Sequence, residues 1–227
     1  MTILTIFLGI IVVLLILLVI SYLLNLRSTS GILDLKTSVP PITTDSISKP
    51  TSPNYYYSTW VYVNTWDTNV KTLFTYGSQS LTLAQNSPDL TFNYNVTETS
   101  GSTARSTIIT NAFPIQKWCH VAISKNNSVL DFYLDGKLIK SYQPTTSVDL
   151  PTSSSSGASI TFGSSGTKND IFLAKFQRSP TSLDPKSVWN LYLSGPGTGV
   201  PMGSDYNYNL ALTVTKDSIV QKTYKLY

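Results

Sequence analysis

From Tyr55 onward the sequence breaks into short runs of β-branched and aromatic residues separated by Gly, Asn, Asp, Ser and Pro. That rhythm excludes most folds. Runs this short, without helical periodicity between them, read as strands joined by turns. The expected strands are Tyr56–Asn64, Lys71–Tyr76, Ser80–Gln85, Leu90–Val96, Arg105–Asn111, Lys117–Lys125, Ser128–Leu134, Lys137–Gln143, Ser159–Phe162, Ile171–Gln177, Asn209–Thr215 and Ile219–Lys225. So many strands predict an all-β fold, an antiparallel two-sheet jelly-roll sandwich. Composition agrees. Charged residues are 12% of the 227, about half the usual share. Ser, Thr, Asn and Tyr fill the gap, which suits the outer faces of strands better than solvent-exposed helices.

The stretch Gln116–Tyr142, "QKWCHVAISKNNSVLDFYLDGKLIKSY", carries the clearest local signals. "KNNSV" supplies a turn. Asp135-Gly136 is a pair that tolerates positive φ at both central positions of a two-residue hairpin. Leu130, Phe132 and Leu134 share one face by the two-residue period, with Asp131 and Tyr133 on the other. The chain's single cysteine, Cys119, and single histidine, His120, are adjacent here. Neighbours on a strand point to opposite faces, so the two cannot act as nucleophile and base. Zinc needs more Cys and His ligands than the chain holds. One helix is expected in "TSLDPKSVWNLYLSG": Asp184 as N-cap, Pro185 at the first helical position, Val188, Leu191 and Tyr192 on one face, and Gly195 at the end.

Before the strands lies a different kind of sequence. Ile3–Leu26 is an uncharged apolar run of 24 residues, longer than the ~20 needed to cross a bilayer. No basic residue precedes it and no small-residue cleavage site follows, so it reads as an uncleaved single-pass transmembrane anchor that puts the chain in the lipid bilayer. Arg27 and Lys36 follow the run, so the positive-inside rule places the C-terminal part on the cytosolic side. A lone cysteine, which cannot form an intrachain disulfide, agrees. The sequons at Asn95 and Asn126 point the other way. Arg27–Asn54, rich in Ser, Thr and Pro, reads as an extended linker. The expected organisation is an anchor (1–26), a linker (27–54), a β-sandwich (55–195) and a C-terminal loop and hairpin (196–227).

Six segments in order, "YYYSTWVYV", "KTLFTYGS", "QKWCHVAIS", "LDFYLDGKLIKSY", "ITFGS" and "DIFLAKFQRSPTSLDPKSVWNLYLSG", resemble the laminin G-like type of concanavalin A-like jelly roll. Trp60, Trp118, His120, Asp135 and Gly136 carry the resemblance most sharply. It covers about Tyr55 to Gly195 and implies two curved sheets packed face to face. The fold hosts lectins, adhesion modules, glycanases and structural domains, so it does not imply one activity. A membrane-anchored domain of this kind, low in charge and rich in Asn, Thr and Tyr, also resembles minor capsid proteins of large icosahedral DNA viruses. That resemblance implies a virion location between an inner membrane and the capsid.

Glycanases of this fold use paired carboxylates. This chain has a single glutamate, Glu98, in the loop-like "VTETSGST". No catalytic residue is expected. No cofactor is expected either, although Asp67, Asp89, Asp149 and Asp170 fall in loops and are the candidates for calcium. The net charge of +4 is spread along the chain, without the dense basic stripe of a nucleic-acid groove. Trp60 and Trp118 are expected in the core. Trp66, Tyr206 and Tyr208 are the candidates for surface aromatics able to contact a partner, set against simple packing of their loops. The leading expectation is a non-enzymatic, membrane-anchored structural protein binding other proteins, such as capsid proteins. The alternative is a carbohydrate-binding, lectin-like adhesion module displayed on a membrane.

Overall fold

The computed structural model describes Leu15, residues 31–150, 159–164 and 166–197, and the backbone of 211–216 and 219–225. The strands are β1 (Leu33–Asp34), β2 (Tyr55–Val63), β3 (Lys71–Tyr76), β4 (Gln79–Leu83), β5 (Leu90–Glu98), β6 (Gly101–Thr110), β7 (Cys119–Asn126), β8 (Val129–Leu134), β9 (Lys137–Tyr142), β10 (Ile160–Phe162), β11 (Ile171–Ser179), β12 (Ala211–Lys216) and β13 (Ile219–Lys225). An α-helix, α1, spans Pro185–Leu193. Six strands form one antiparallel sheet in the order β1-β11-β2-β7-β8-β9, and five form another in the order β10-β3-β4-β5-β6. β12 and β13 pair as the expected C-terminal hairpin.

The core lies between the two sheets. Alternation along each strand sends Tyr57, Val61 and Val63 of β2, Val121 and Ile123 of β7, and Leu130 and Phe132 of β8 inward against Phe74, Leu81, Phe92 and Tyr94 of the other sheet. The rings touch across this layer: Tyr57 is 4.9 Å from Phe74, and Phe92 is 6.0 Å from Phe132. A buried polar link joins the sheets too. Tyr57 Oη donates to Gln79 Oε1 at 2.7 Å, and Gln79 Nε2 donates to Tyr55 Oη at 2.9 Å. All three side chains are buried, so this bonding offsets what would otherwise be a steep desolvation cost.

β7 is buried along nearly its whole length on both faces, because α1 covers the outer side of the six-stranded sheet. Val188 of α1 packs with Ala122, Tyr133 and Leu183. The helix starts as expected: the Asp184 carboxylate accepts from Lys186 N at 2.9 Å and Ser187 N at 3.0 Å, and Pro185 follows it. At its other end Gly195 has φ +62°, and Lys175, at a bulge in β11, donates to the Ser194 carbonyl at 2.8 Å. A cation there also favours the helix dipole. Asp135 and Gly136 have φ +46° and +76° and form the two-residue β8–β9 turn.

Three expectations are corrected. Residues 31–54 do not stand off as a linker. Leu33 and Asp34 pair with β11, Ile42 bridges Ile160, and Leu35 and Ile47 are buried. Arg178 holds the same stretch through the Ser48, Lys49 and Pro50 carbonyls. The prolines exclude a continuous helix, leaving a single 3-10 turn at Thr44–Ser46, but not an extended wrap. "VTETSGST" is not a loop: β5 and β6 run through it to a turn at Thr99-Ser100, with Gly101 at φ +122°. Trp118 precedes β7 rather than lying in it, and is half-buried against Tyr62 at 5.4 Å. Ile3–Leu26 lies outside the described residues except for Leu15. Among the described residues no helix is long and apolar enough to cross a membrane.

Candidate functional site

Cys119 and His120 do diverge. Cys119 faces the inter-sheet core, while His120 faces α1, between Trp60 at 5.3 Å and Tyr192 at 6.3 Å. His120 Nε2 lies 2.9 Å from Ser58 Oγ, a partner with no signal in the sequence. With Asp135 on the adjoining turn, the three residue types of a hydrolase triad are close together. The geometry is nonetheless structural. Asp135 Oδ1 accepts from the His120 backbone N–H at 2.9 Å, not from Nδ1, which has no partner. Ser58 and His120 are 2% and 1% exposed, so no substrate reaches them. Burial lowers the His120 pKa to about 4 and pushes the Cys119 thiol well above its ordinary range, leaving a neutral imidazole and an inert thiol.

Glu98 is half-buried at the end of β5. Arg105 Nη2 lies 2.7 Å from Glu98 Oε1, and this bond, with one from Thr103, lowers its pKa. A general acid of a glycanase needs the opposite shift. The candidate calcium ligands are not brought together. Asp67 pairs with Lys71 at 2.8 Å. Asp89 accepts from Ser87 at 2.7 Å. Asp149 accepts from the Thr97 and Ser102 hydroxyls. Asp170 pairs with Lys36 at 2.7 Å and accepts from Asn64 and Thr65. Among the described residues no three His, Cys, Asp or Glu side chains are grouped to hold a metal.

Of the surface aromatics, Trp66 is half-buried. Its Nε1 donates to the Gln85 carbonyl at 3.2 Å, and its face receives Lys71 Nζ at 4.2 Å. It packs the loop rather than offering a platform. Tyr206 and Tyr208 lie outside the described residues. Trp60 is buried as expected, but on the outer face of its sheet, stacked on Tyr192 of α1 at 5.6 Å. Asn126 is exposed at the end of β7, whereas the Asn95 amide donates to Ser102 at 3.1 Å.

Among the described residues, four of the exposed apolar side chains lie on edge strands, while Val70, Ile115, Trp189 and Leu193 are exposed elsewhere. β9 and β6 end their respective sheets and lie side by side, with Lys140 Nζ donating across to the Ile108 carbonyl at 3.1 Å. Here Ile108, Leu138, Ile139 and Tyr142 are 50%, 52%, 48% and 40% exposed. Ile139 is the extra residue of a bulge opposite Phe132 and Tyr133. Four such residues fall on two adjoining edge strands, with Leu138, opposite Tyr133, on the α1 side of its sheet and Ile108, opposite Thr91, on the outer face of the other.

Two curved antiparallel sheets face to face, with a late helix on the outer side, define a jelly-roll sandwich of the concanavalin A type. Residues 39–180 match a laminin G-like family model within the concanavalin A-like lectin/glucanases superfamily, and the chain belongs to that family. Among solved structures it is similar to the binding domain of botulinum neurotoxin DC in complex with rat synaptotagmin II, at 20% identity and a TM-score of 0.47, over 64% of this chain and 37% of that one. It is also similar to a botulinum neurotoxin type C structure whose cell entry depends on interaction with two ganglioside molecules, at 21% identity and a TM-score of 0.46, over 62% and 35%. The chain thus spans little more than a third of the length of those structures. No curated protein sequence matches it.

Proposed function

We propose that this chain is a non-enzymatic, membrane-anchored interaction module whose sandwich binds a protein through the joined edges of β6 and β9. The carrying observation is the exposure of Ile108, Leu138, Ile139 and Tyr142 along the two adjoining edge strands. An edge strand presents unpaired N–H and C=O groups, and apolar side chains beside it supply the contact area that makes strand addition specific. Lys137 and Lys140 flank the apolar pair on β9 and guard it against pairing with its own kind. In this reading Ile3–Leu26 is the anchor. In a virion with a membrane beneath the shell, the partner would be a capsid protein.

A photo-crosslinking amino acid at Ile139, and another at Thr161 on the distant β10, test this in native membranes or particles. Discrete protein adducts from Ile139, absent from Thr161 and lost with Ile108→Lys, are expected. Adducts from Thr161 alone, or none from either site, would overturn the proposal. Intact mass of the native chain addresses the cytosolic placement: Asn126 is expected to be unmodified.

A further inference from the structure

A helix laid over a sheet ordinarily turns a charged, solvated side to water. The outer side of α1 does not. Pro185, Trp189 and Leu193 stand at i, i+4 and i+8, so they form one line of about 12 Å along the helix. All three are exposed, Trp189 at 41% and Leu193 at 64%, while Val188 is buried on the sheet side and Tyr192 stacks on Trp60. Lys186 is the only charged residue of the helix. α1 also lies against β9, whose exposed Leu138 is on the same side of the sheet, opposite Tyr133. Gly136 lets the Trp189 ring rest on the β8–β9 turn, two residues from Leu138. Scattered apolar residues need no explanation, but an apolar stripe along one helix side marks a contact surface.

The chain holds a segment that lacks what this stripe offers. β12 and β13 make a two-stranded sheet of their own, joined to neither sheet of the sandwich. A lone two-stranded hairpin is marginal in water and needs a surface to pack on. Its register gives it two unlike faces. Leu212 pairs with Tyr224, and Val214 falls on that face two residues on, whereas Ala211, Thr213 and Thr223 fall on the other. Apolar residues on one face and threonines on the other are the pattern of a strand pair with one side to bury. The hairpin also starts close by. Gly197 lies four residues after Leu193, and the 13 residues 198–210 carry the chain from there to Ala211 with a reach of at most about 45 Å. A tether this short holds the hairpin beside α1 at an effective concentration on the order of millimolar.

We propose that the C-terminal hairpin of this chain docks on the α1 stripe, as a third layer over the six-stranded sheet. The face of Leu212, Val214 and Tyr224 covers Trp189 and Leu193, and the face of Thr213 and Thr223 turns to water. The contact is apolar burial rather than strand pairing, because a helix keeps its own backbone groups bonded. The hairpin is therefore separable: it lifts from α1 without breaking a ladder of the sandwich. The stripe has only Leu138 in common with the β6–β9 edge, and the inference stands whether or not that edge binds a protein.

Hydrogen exchange of the full chain in detergent micelles, read by mass spectrometry, tests the docking. The amides of residues 212–214 and 222–224 are expected to exchange at least about tenfold more slowly than unstructured chain. Leu193→Asp, at an exposed helix position, puts a charge in the stripe. It should speed the hairpin's exchange at least about tenfold while β7 and β8 stay as protected as before. Thr161→Asp, on the distant β10, should leave the hairpin's exchange unchanged. Disulfide trapping then identifies the face and the chain. Under mild oxidation Leu193→Cys with Val214→Cys should close within one chain at least about tenfold faster than Leu193→Cys with Thr213→Cys, and the native Cys119 is buried and takes no part. Unprotected hairpin amides, protection untouched by Leu193→Asp, equal trapping from Val214 and Thr213, or a product linking two chains would each overturn the proposal.

Discussion

Gly136 is the position where local conformation and tertiary packing make the same demand, so Gly136→Ala should be unusually damaging for a surface turn. Its φ of +76° costs a non-glycine residue about 1–2 kcal/mol. A Cβ built there would also lie 2.7 Å from Trp189 Cε3 and 3.1 Å from Tyr192 Cβ. Trp189 is 41% exposed and can swing aside, giving up its packing on the turn. Tyr192 Cβ cannot move without α1, and α1 covers His120 and Tyr133. A further ~1–2 kcal/mol follows from the lost contacts, for a total of about 2–4 kcal/mol. Gly195→Ala isolates the backbone part, because its φ is +62° and nothing lies within 4 Å of its Cβ. Urea denaturation of the full chain in micelles, read by tryptophan fluorescence, measures both. With a slope of about 2 kcal/mol/M, Gly136→Ala should lower the midpoint by about 1–2 M and Gly195→Ala by about 0.5–1 M. In a Trp189→Ala background the cost of Gly136→Ala should fall by about 1 kcal/mol. The reasoning is refuted if the two glycine variants agree within 0.5 kcal/mol, or if the Trp189 background changes nothing.

Three further outcomes are expected. Because the buried His120 titrates near pH 4, below the ordinary value of about 6.5, the unfolded chain binds the extra proton first. Stability should therefore fall as pH drops from about 6.5 to 4 and level off below, by on the order of 3 kcal/mol, and denaturation midpoints of His120→Gln should lack that component. Asp67→Asn removes the anion beside buried Lys71 and should destabilise the fold by about 1–3 kcal/mol in the same urea assay, with added calcium leaving the wild-type midpoint unchanged. Asp184→Ala removes both N-cap bonds of α1 and should cost about 1 kcal/mol, seen as earlier amide exchange in Val188 and Trp189.

What could be read in the sequence was what is decided by near neighbours. The Asp135-Gly136 turn, the Asp184-Pro185 helix start and the divergence of Cys119 from His120 each follow from residues one to four positions apart. What escaped was decided at long range. Leu33, Leu35, Ile42 and Ile47 are isolated apolar residues among Ser, Thr and Pro, and nothing in their spacing reveals that Leu173 and Ile160 await them more than a hundred residues later. The burial of Lys71 and Lys125 escaped for another reason. Lysine is a surface residue by default, and only the carbonyls of turns such as Asp67–Asn69 make the interior tolerable. For Trp66 the loop position left surface contact and loop packing both open, and the fold of that loop back over Lys71 decides for packing.

The docking of residues 31–54 also sets a length. If a membrane span ends at Leu26, only four residues separate it from Gly31, a reach of at most about 17 Å, against the ~90 Å that a free stretch to Asn54 would allow. The sandwich would then ride close to the bilayer, entering through β1 at one margin of the six-stranded sheet. β9 is at the opposite margin, five strand spacings or about 24 Å away. A short leash at one edge and an apolar contact strip at the other would make the sheet itself the spacer, holding its partner at a set height above the lipid with a stiffness no Ser/Thr/Pro coil could provide.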